Sequence, residues 1–304
     1  MNKNHWTSKY LTNEINIPES KDYCAIFGTN PSNGARSPKL WNSTFNALGI
    51  DRYMYSLDVP QHNVLPFLQE LQNDIFFKGG AIAVPYKITT SNFLQSDIAP
   101  NSIHIGAINS LYRDGSNKLI GTNTDGEGAL KSLVSKIGNV KDKSVLIIGS
   151  GGAALAVINY VANEIDDKKK CYLAARTTNK LIKISTHVKA NVINISEIYK
   201  LLPDINIIIN CTSIGFGDQV NQTPISLEDM KLINKTTFIY DIIYQPKQTK
   251  LLKNAAELEL KYMNGLSMNL EQAVLGFYYS TSISYQVNID DIRYHMINCI
   301  NNSS

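Results

Sequence analysis

The chain has 304 residues, 43% of them hydrophobic and 18% charged, with a formal net charge of +3 at pH 7. That length suggests about two globular domains, with residues enough for sizeable cores. So small a positive excess excludes a strongly basic nucleic-acid or membrane-surface binder. From the N-terminal side, Tyr23-Cys24-Ala25-Ile26-Phe27 reads as a buried strand ending at Gly28. Ser37-Pro38 opens a helix, with Ser37 as N-cap and proline at the first helical position. Its apolar residues Leu40, Trp41, Phe45 and Leu48 keep helical spacing as far as Gly49.

A strand over Tyr53 to Val59, a helix over Val64 to Leu71 and a strand over Ala81 to Val84 follow. The stretch from Ile105 to Ile120 reads as a hairpin turning at Asp114-Gly115. A helix then begins near residue 126. After it, Ser144-Val145-Leu146-Ile147-Ile148 is an apolar run of the kind buried on both faces of a parallel sheet. Cys171 to Ala174, Asn206 to Asn210 and Phe238 to Ile243 continue as strands, and the chain from Leu266 onward reads as helix. The alternation predicts an α/β protein. Domains are expected over 1–125 and 126–264, with helices over 265–304 packing back on the first, an arrangement that periodicity by itself does not give.

Neither the cysteines nor the histidines cluster. Cys24, Cys171, Cys211 and Cys299 have no paired spacing, and the five histidines are dispersed, so no metal site is expected. The Lys168-Lys169-Lys170 run reads as solvated surface. The N-terminus carries no apolar signal region and no apolar run reaches membrane-spanning length, which predicts a cytoplasmic protein without a membrane partner. The polar tail Asn301-Asn302-Ser303-Ser304 is expected to be disordered.

The most informative segment is Gly149-Ser150-Gly151-Gly152-Ala153-Ala154, which directly follows the apolar strand and precedes a helix. In that context G-x-G-x-x-A is a dinucleotide fingerprint. The first glycine permits the tight turn, the second lets a pyrophosphate approach the backbone, and the helix N-terminus supplies N–H groups. The next strand ends at Arg176-Thr177-Thr178-Asn179-Lys180, with no acid to hold the ribose hydroxyls of NAD. A guanidinium there can bind a 2′-phosphate and Lys180 adds a second charge, so NADP is the expected cofactor. The plain alternative is that both are surface charges.

A hydride carrier needs a partner group for the proton. Pro85-Tyr86-Lys87 follows a predicted strand, and Gly121-Thr122-Asn123-Thr124-Asp125-Gly126 is a polar turn at the predicted domain boundary. A cleft there would bring Lys87 and Asp125 together, a pair suited to carbonyl/alcohol interconversion. A surface lysine and an Asx-turn aspartate are the alternative.

Taken together and in order, these segments resemble the shikimate dehydrogenase family over nearly the whole chain. Pro85-Tyr86-Lys87 and Asn123-Thr124-Asp125-Gly126 are similar to the segments carrying the catalytic lysine and aspartate. Gly106-Ala107-Ile108-Asn109 resembles the segment whose asparagine binds a substrate hydroxyl. Asn210-Cys211-Thr212-Ser213-Ile214-Gly215 resembles the nicotinamide-side loop, and Asp241 to Tyr244 with Gly265 to Gln272 complete the order. The resemblance implies a substrate-binding catalytic domain over 1–125, a Rossmann NADP-binding domain over 126–264, and NADP-dependent interconversion of 3-dehydroshikimate and shikimate in aromatic amino acid biosynthesis. It implies Lys87 and Asp125 as catalytic residues, and Ser37, Asn109, Tyr244 and Gln272 at the substrate. Gly149, Ser150, Gly151, Gly152, Ala153, Arg176, Thr177, Lys180, Thr212, Ser213, Ile242 and Gly265 would lie at the cofactor.

Three expected polar groups are missing. Ala35-Arg36-Ser37-Pro38 stands where the family has S-x-S-P, and Ala81-Ile82-Ala83 where it has N-V-T, which points to a paralogue with an altered substrate loop. Each lost bond is worth on the order of 1 kcal/mol, or 1.5–3 at a carboxylate. Asn33 and Arg36 are the candidates to compensate. A quinate or other cyclic hydroxy-acid dehydrogenase is therefore a rival reading, as is a catalytically silent NADP-binding sensor. The expected partners are a small cyclic hydroxy-acid and, at most, a second copy in a homodimer, with no nucleic acid.

Overall fold

Each predicted strand up to residue 122 joins one mixed sheet, but two boundaries move. In the computed structural model, which describes residues 5–302 apart from the side chains of residues 180 and 183, β1 (Tyr23–Gly28) is followed by α1 (Ser37–Ala47) and β2 (Tyr53–Asp58). Then come α2 (Val64–Asn73), β3 (Phe77–Ile82), α3 (Lys87–Leu94), β4 (Ser110–Arg113) and β5 (Leu119–Thr122). Ser37 is thus the first helical residue rather than the cap. Arg36 holds the cap position and makes no side-chain capping bond. β3 ends at Ile82, so Lys87 does not follow a strand directly; it opens α3, after a cis Val84–Pro85 peptide.

The sheet order is β2-β1-β3-β4-β5, parallel among the first three strands and antiparallel from β3 to β5. Its core includes Tyr23, Phe27, Leu57, Phe67 and Phe77, all buried. The outer edge of β2 is closed by side chains. Asn42 of α1 donates to the Met54 carbonyl at 3.0 Å and accepts from the Met54 amide at 2.7 Å. Asn13 bonds the Ser56 carbonyl and the Asp58 amide, both at 2.9 Å, and the Thr12 amide donates to the Asp58 carbonyl at 2.9 Å.

The second half continues with α4 (Thr124–Ile137), β6 (Val145–Ile148), α5 (Gly152–Glu164), β7 (Cys171–Ala175), α6 (Ile182–Val188) and β8 (Asn191–Asn194). β9 (Ile207–Asn210), α7 (Leu227–Met230), β10 (Phe238–Asp241), α8 (Lys250–Glu257) and β11 (Lys261–Met263) complete a six-stranded sheet. Its order is β11-β10-β9-β6-β7-β8 with every pairing parallel, a doubly wound Rossmann-like arrangement. Val145, Leu146 and Ile147 are wholly buried, as a central parallel strand covered on both faces requires.

The last helices are α9 (Leu266–Thr281) and α10 (Ile289–Asn301). Asn301 closes α10, which corrects the expectation that the tail is disordered from that residue; Ser303 and Ser304 lie outside the described residues. The chain separates into two compact units, Met1–Thr124 with Gln272–Ser304, and Asp125–Glu271. Within the first, Phe277 of α9 packs edge-to-face on Trp41 and tilted against Phe45 of α1, so the C-terminal helices return to the N-terminal sheet's unit.

Candidate active site

Within the first unit, Asn109 is the centre of the predicted substrate residues. It is buried just before β4, and its Oδ1 accepts the Thr124 amide at 2.7 Å. Its Nδ2 donates to the Thr124 hydroxyl at 3.0 Å and reaches Gln272 Oε1 at 3.5 Å. The Thr124 hydroxyl donates to the Gln272 carbonyl at 3.1 Å. Asn109 and Gln272, 163 residues apart in sequence, are therefore brought together, with Thr124 as the tie between them. Asn123 is fixed by its own bonds, donating to the Ala107 carbonyl and, through its amide, to Ser102. Asp125, 7% exposed, follows in the first turn of α4 and is the first residue of the second unit.

Lys87 is half-buried and its backbone is anchored on both sides. The Lys87 carbonyl accepts the Ile108 amide at 3.1 Å, and the buried Tyr86 before it donates its hydroxyl to the Val59 carbonyl at 2.7 Å. Ser37 sits at the mouth of the loop 28–37, where Ser32 bonds both oxygens of the buried Asp58. Arg36 lines a pocket of about 400 Å³ with Ala35, Lys39 and, from α10, Cys299 and Ile300.

Within the second unit, a pocket of about 590 Å³ opens at the carboxyl ends of β6 and β7. Of the predicted cofactor residues, Gly149, Ser150, Gly151, Arg176, Thr177, Thr212 and Ser213 line it. Gly152 and Ala153 are the first residues of α5 behind the turn, and Ile242 and Gly265 stand against each other after β10; none of these four lines the pocket. Lys180 belongs to the turn Asn179–Leu181, and its side chain lies outside the described residues. Tyr244 is half-buried beyond β10, also in this unit. Sequence reading missed Ile195, Gln219 and Pro224 as further walls, which come from loops with no motif to mark them.

The turn behaves as a ligand cradle should. Gly149 has φ +138°, a conformation that L side chains rarely adopt, and a Cβ there would lie 3.0 Å from the Cys211 carbonyl oxygen. At Gly151, by contrast, a Cβ would meet nothing within 4 Å. No packing in the protein requires a glycine there, and the turn leaves room for a ligand to approach the backbone. Gly151 caps α5 without any side-chain bond, leaving the first amides of the helix for an anion. The residues therefore fit a dinucleotide pyrophosphate.

Behind the pocket stands a buried carboxyl, Asp241. Burial pushes it up to about 6 from an ordinary 3.8, against the opposing pull of donors from Thr249, Ile243 and Asn210. A folded value above the unfolded one means that stability from this group is complete below the unfolded value and is lost as pH rises through about 6. Asp241→Asn should therefore lack that slope. From about pH 5 to about pH 7.5 the parent is expected to lose about 1.4 kcal/mol relative to the variant. Melting curves of both proteins across that range check this, and parallel pH dependences would refute it. Among the described residues no group of three or more His, Cys, Asp or Glu could hold a metal ion.

Comparison with known proteins follows the two-unit division closely. Residues 26–111 match the shikimate dehydrogenase substrate binding domain and residues 131–243 match shikimate / quinate 5-dehydrogenase. Shikimate dehydrogenase (NADP(+)) of Bacillus subtilis (strain 168) is 32% identical over 270 residues, 87% of this chain and 92% of that one. The chain belongs to the shikimate dehydrogenase family. The shikimate dehydrogenase (NADP(+)) of Clostridium botulinum (strain Hall) is 34% identical, over 79% of this chain and 90% of that protein. Among solved structures of the family, a shikimate dehydrogenase in complex with NADP+ superposes with a TM-score of 0.78 at 27% identity, covering 93% of this chain and 96% of that one. The shikimate dehydrogenase of Aquifex aeolicus gives 0.77 at 28%, over 92% and 98%.

Proposed function

We propose that this chain is an NADP-dependent oxidoreductase that interconverts 3-dehydroshikimate and shikimate. The observation that carries the reading is the pocket of the second unit. It joins an open glycine turn at a helix N-terminus to Arg176 at the end of β7, where no acid stands, in a chain whose relatives are named shikimate dehydrogenase (NADP(+)). When bound, NADPH supplies the hydride. The first amides of α5 hold the pyrophosphate, Arg176 and Thr177 take the 2′-phosphate with Lys180 adding charge, and Thr212, Ser213, Ile242 and Gly265 flank the remainder. Lys87 donates a proton to the carbonyl oxygen as it becomes an alkoxide, and Asp125 orients the ammonium or relays the proton. Ser37, Asn109, Tyr244 and Gln272 orient the ring and its carboxylate. Residues 1–125 and the helices over 265–304 form the substrate side on this reading, and 126–264 the cofactor side.

Steady-state oxidation of shikimate with NADP tests the proposal, with NAD and quinate as controls. No turnover of shikimate, or a preference for quinate, would sink it. No specific observation favours the quinate reading or the silent sensor over it. Arg176→Ala should raise the KM for NADP by one to two orders of magnitude, from roughly 1.5–3 kcal/mol of lost charge-assisted bonding, and leave the KM for NAD little changed. Equal effects on both cofactors would remove Arg176 from the 2′-phosphate site. The same reading makes this a cytoplasmic enzyme of aromatic amino acid biosynthesis, acting as monomer or homodimer without a nucleic-acid partner, in keeping with its net charge of +3.

A further inference from the structure

The loop that follows β9 forms one wall of the cofactor pocket, contributing Cys211, Thr212, Ser213 and Ile214. Its shape is set from below by Asn210, which is wholly buried and does not itself line the pocket. Asn210 Oδ1 accepts the Thr212 amide at 3.0 Å and the Thr212 hydroxyl at 2.7 Å. The Thr212 oxygen in turn accepts the Ile214 amide at 3.1 Å, and Asn210 Nδ2 donates to the Ile214 carbonyl at 3.3 Å. This arrangement works only with the amide one way round. Flipped, Asn210 would set its NH2 against the Thr212 amide and its oxygen against whatever lies beyond.

What lies beyond is the Asp241 carboxylate, wholly buried at the end of β10. Asp241 Oδ1 accepts Asn210 Nδ2 at 3.0 Å and the Ile243 amide at 3.1 Å, and Oδ2 accepts the Thr249 hydroxyl at 2.7 Å. Thr249 is the N-cap of α8, so the carboxylate is held by three elements and cannot turn away from Asn210. We infer that Asp241 is a positioning residue for the cofactor pocket, which acts through Asn210 to set the Thr212–Ile214 backbone that forms the pocket wall. The inference rests on the NADP reading of that pocket. What Asp241 supplies is an acceptor at one fixed point, not a charge to the ligand.

That distinction decides the test. Asp241→Asn keeps an oxygen at Oδ1, because the Ile243 amide demands an acceptor there, and its NH2 can donate to the Thr249 hydroxyl. Asp241→Leu removes the acceptor at similar volume, and Asn210→Ala removes the intermediary without touching the pocket surface. Titration calorimetry with NADP on the parent and the three variants, each with its ligand-free melting curve, gives the readout. Asp241→Leu and Asn210→Ala are expected to weaken NADP binding at least about tenfold, with Asp241→Asn within about threefold of the parent. In steady state the loss should fall on the KM for NADP, with the KM for shikimate unmoved. A purely structural role would lower the folded fraction and the apparent kcat while leaving both KM values alone. Should Asp241→Leu fail to fold, Asn210→Ala and the rescue by Asp241→Asn still decide. Folded Asn210→Ala with parental NADP affinity, or Asp241→Asn as weak as Asn210→Ala, overturns the inference. A parent that binds no NADP overturns the cofactor reading and takes this inference with it.

Discussion

Lys87→Ala is expected to lower kcat for shikimate oxidation by roughly 10²–10⁴, the usual contribution of a positioned acid–base group, with melting temperature unchanged or slightly raised. The second half of that expectation comes from where the residue stands. Lys87 opens α3, and a cation at the amino end of a helix opposes the macrodipole by about 0.3–1 kcal/mol. The first turn of α3 has no acidic residue. Around it the backbone is tightly anchored: Tyr86 is buried with its hydroxyl on the Val59 carbonyl, and Thr90 donates its hydroxyl to the Tyr86 carbonyl at 2.9 Å. A side chain that breaks a local rule on a well-held frame fits the catalytic role proposed for it. Kinetics and a thermal melt on the same preparation separate the possibilities. A variant with parental kcat would remove Lys87 from the mechanism, and one that melts much lower would make it a structural residue.

Gly265→Ala should be the most damaging small substitution in the second unit. A Cβ at Gly265 would lie 1.8 Å from the Ile242 carbonyl oxygen and 2.4 Å from its carbon, both backbone atoms that cannot rotate away. The same glycine donates its amide to the Ile243 carbonyl and accepts the Asn269 amide in the first turn of α9, so it cannot retreat without dragging the helix start. Overpacking against backbone costs about 3 kcal/mol at its upper range. That corresponds to a fall of roughly 6–12 °C in melting temperature for a unit of this size. The family likeness puts this residue near the cofactor, but its need to be glycine is explained by the end of β10. Calorimetry without ligand is the check. A parental melting temperature combined with lost NADP binding would reverse the explanation and make the cofactor the reason for the glycine.

The fold class could be read from the chain because its main signals were local. An apolar run followed by a glycine turn and a helix describes β6, Gly149 and α5 without help from the rest of the molecule. What could not be read was set by neighbours. Phe77-Lys78-Gly79-Gly80 lies outside the strand predicted over Ala81 to Val84, yet it is most of β3. A Cβ on Gly80 would lie 1.8 Å from the Ala25 carbonyl oxygen of β1, so strand packing, not turn geometry, accounts for the glycines. The Thr- and Ser-bearing segment Lys87–Leu94 is a poor helix former by composition and is helical all the same. β8 and β11 are short strands at the sheet edges, with no apolar run to announce them.

The site divides in the same way. Lys87, Asp125 and the Gly149–Gly151 turn sit in contiguous motifs, whereas Thr124 gains its role only by touching Asn109 and Gln272 from far along the chain. The bonds of Asp241 to Asn210 and Thr249 span 31 and 8 residues and carry no sequence signature. Burial supplies the rest. Cys24 and Cys171, whose thiols burial raises to about 12, are core residues without a disulfide, in keeping with their place inside apolar runs of the sequence.

The sealed margin of β2 has a consequence for how the molecule behaves among its own copies. An outermost strand normally invites another chain to continue the ladder, and here that invitation is withdrawn by two asparagine side chains and the Thr12 backbone amide. Thr12 and Asn13 belong to the stretch before the first strand. They serve as a guard rail. Without Thr12 and Asn13 the margin of β2 would keep only the Asn42 bonds to Met54, so part of the guard against edge-to-edge pairing lies in residues that take no part in the proposed chemistry.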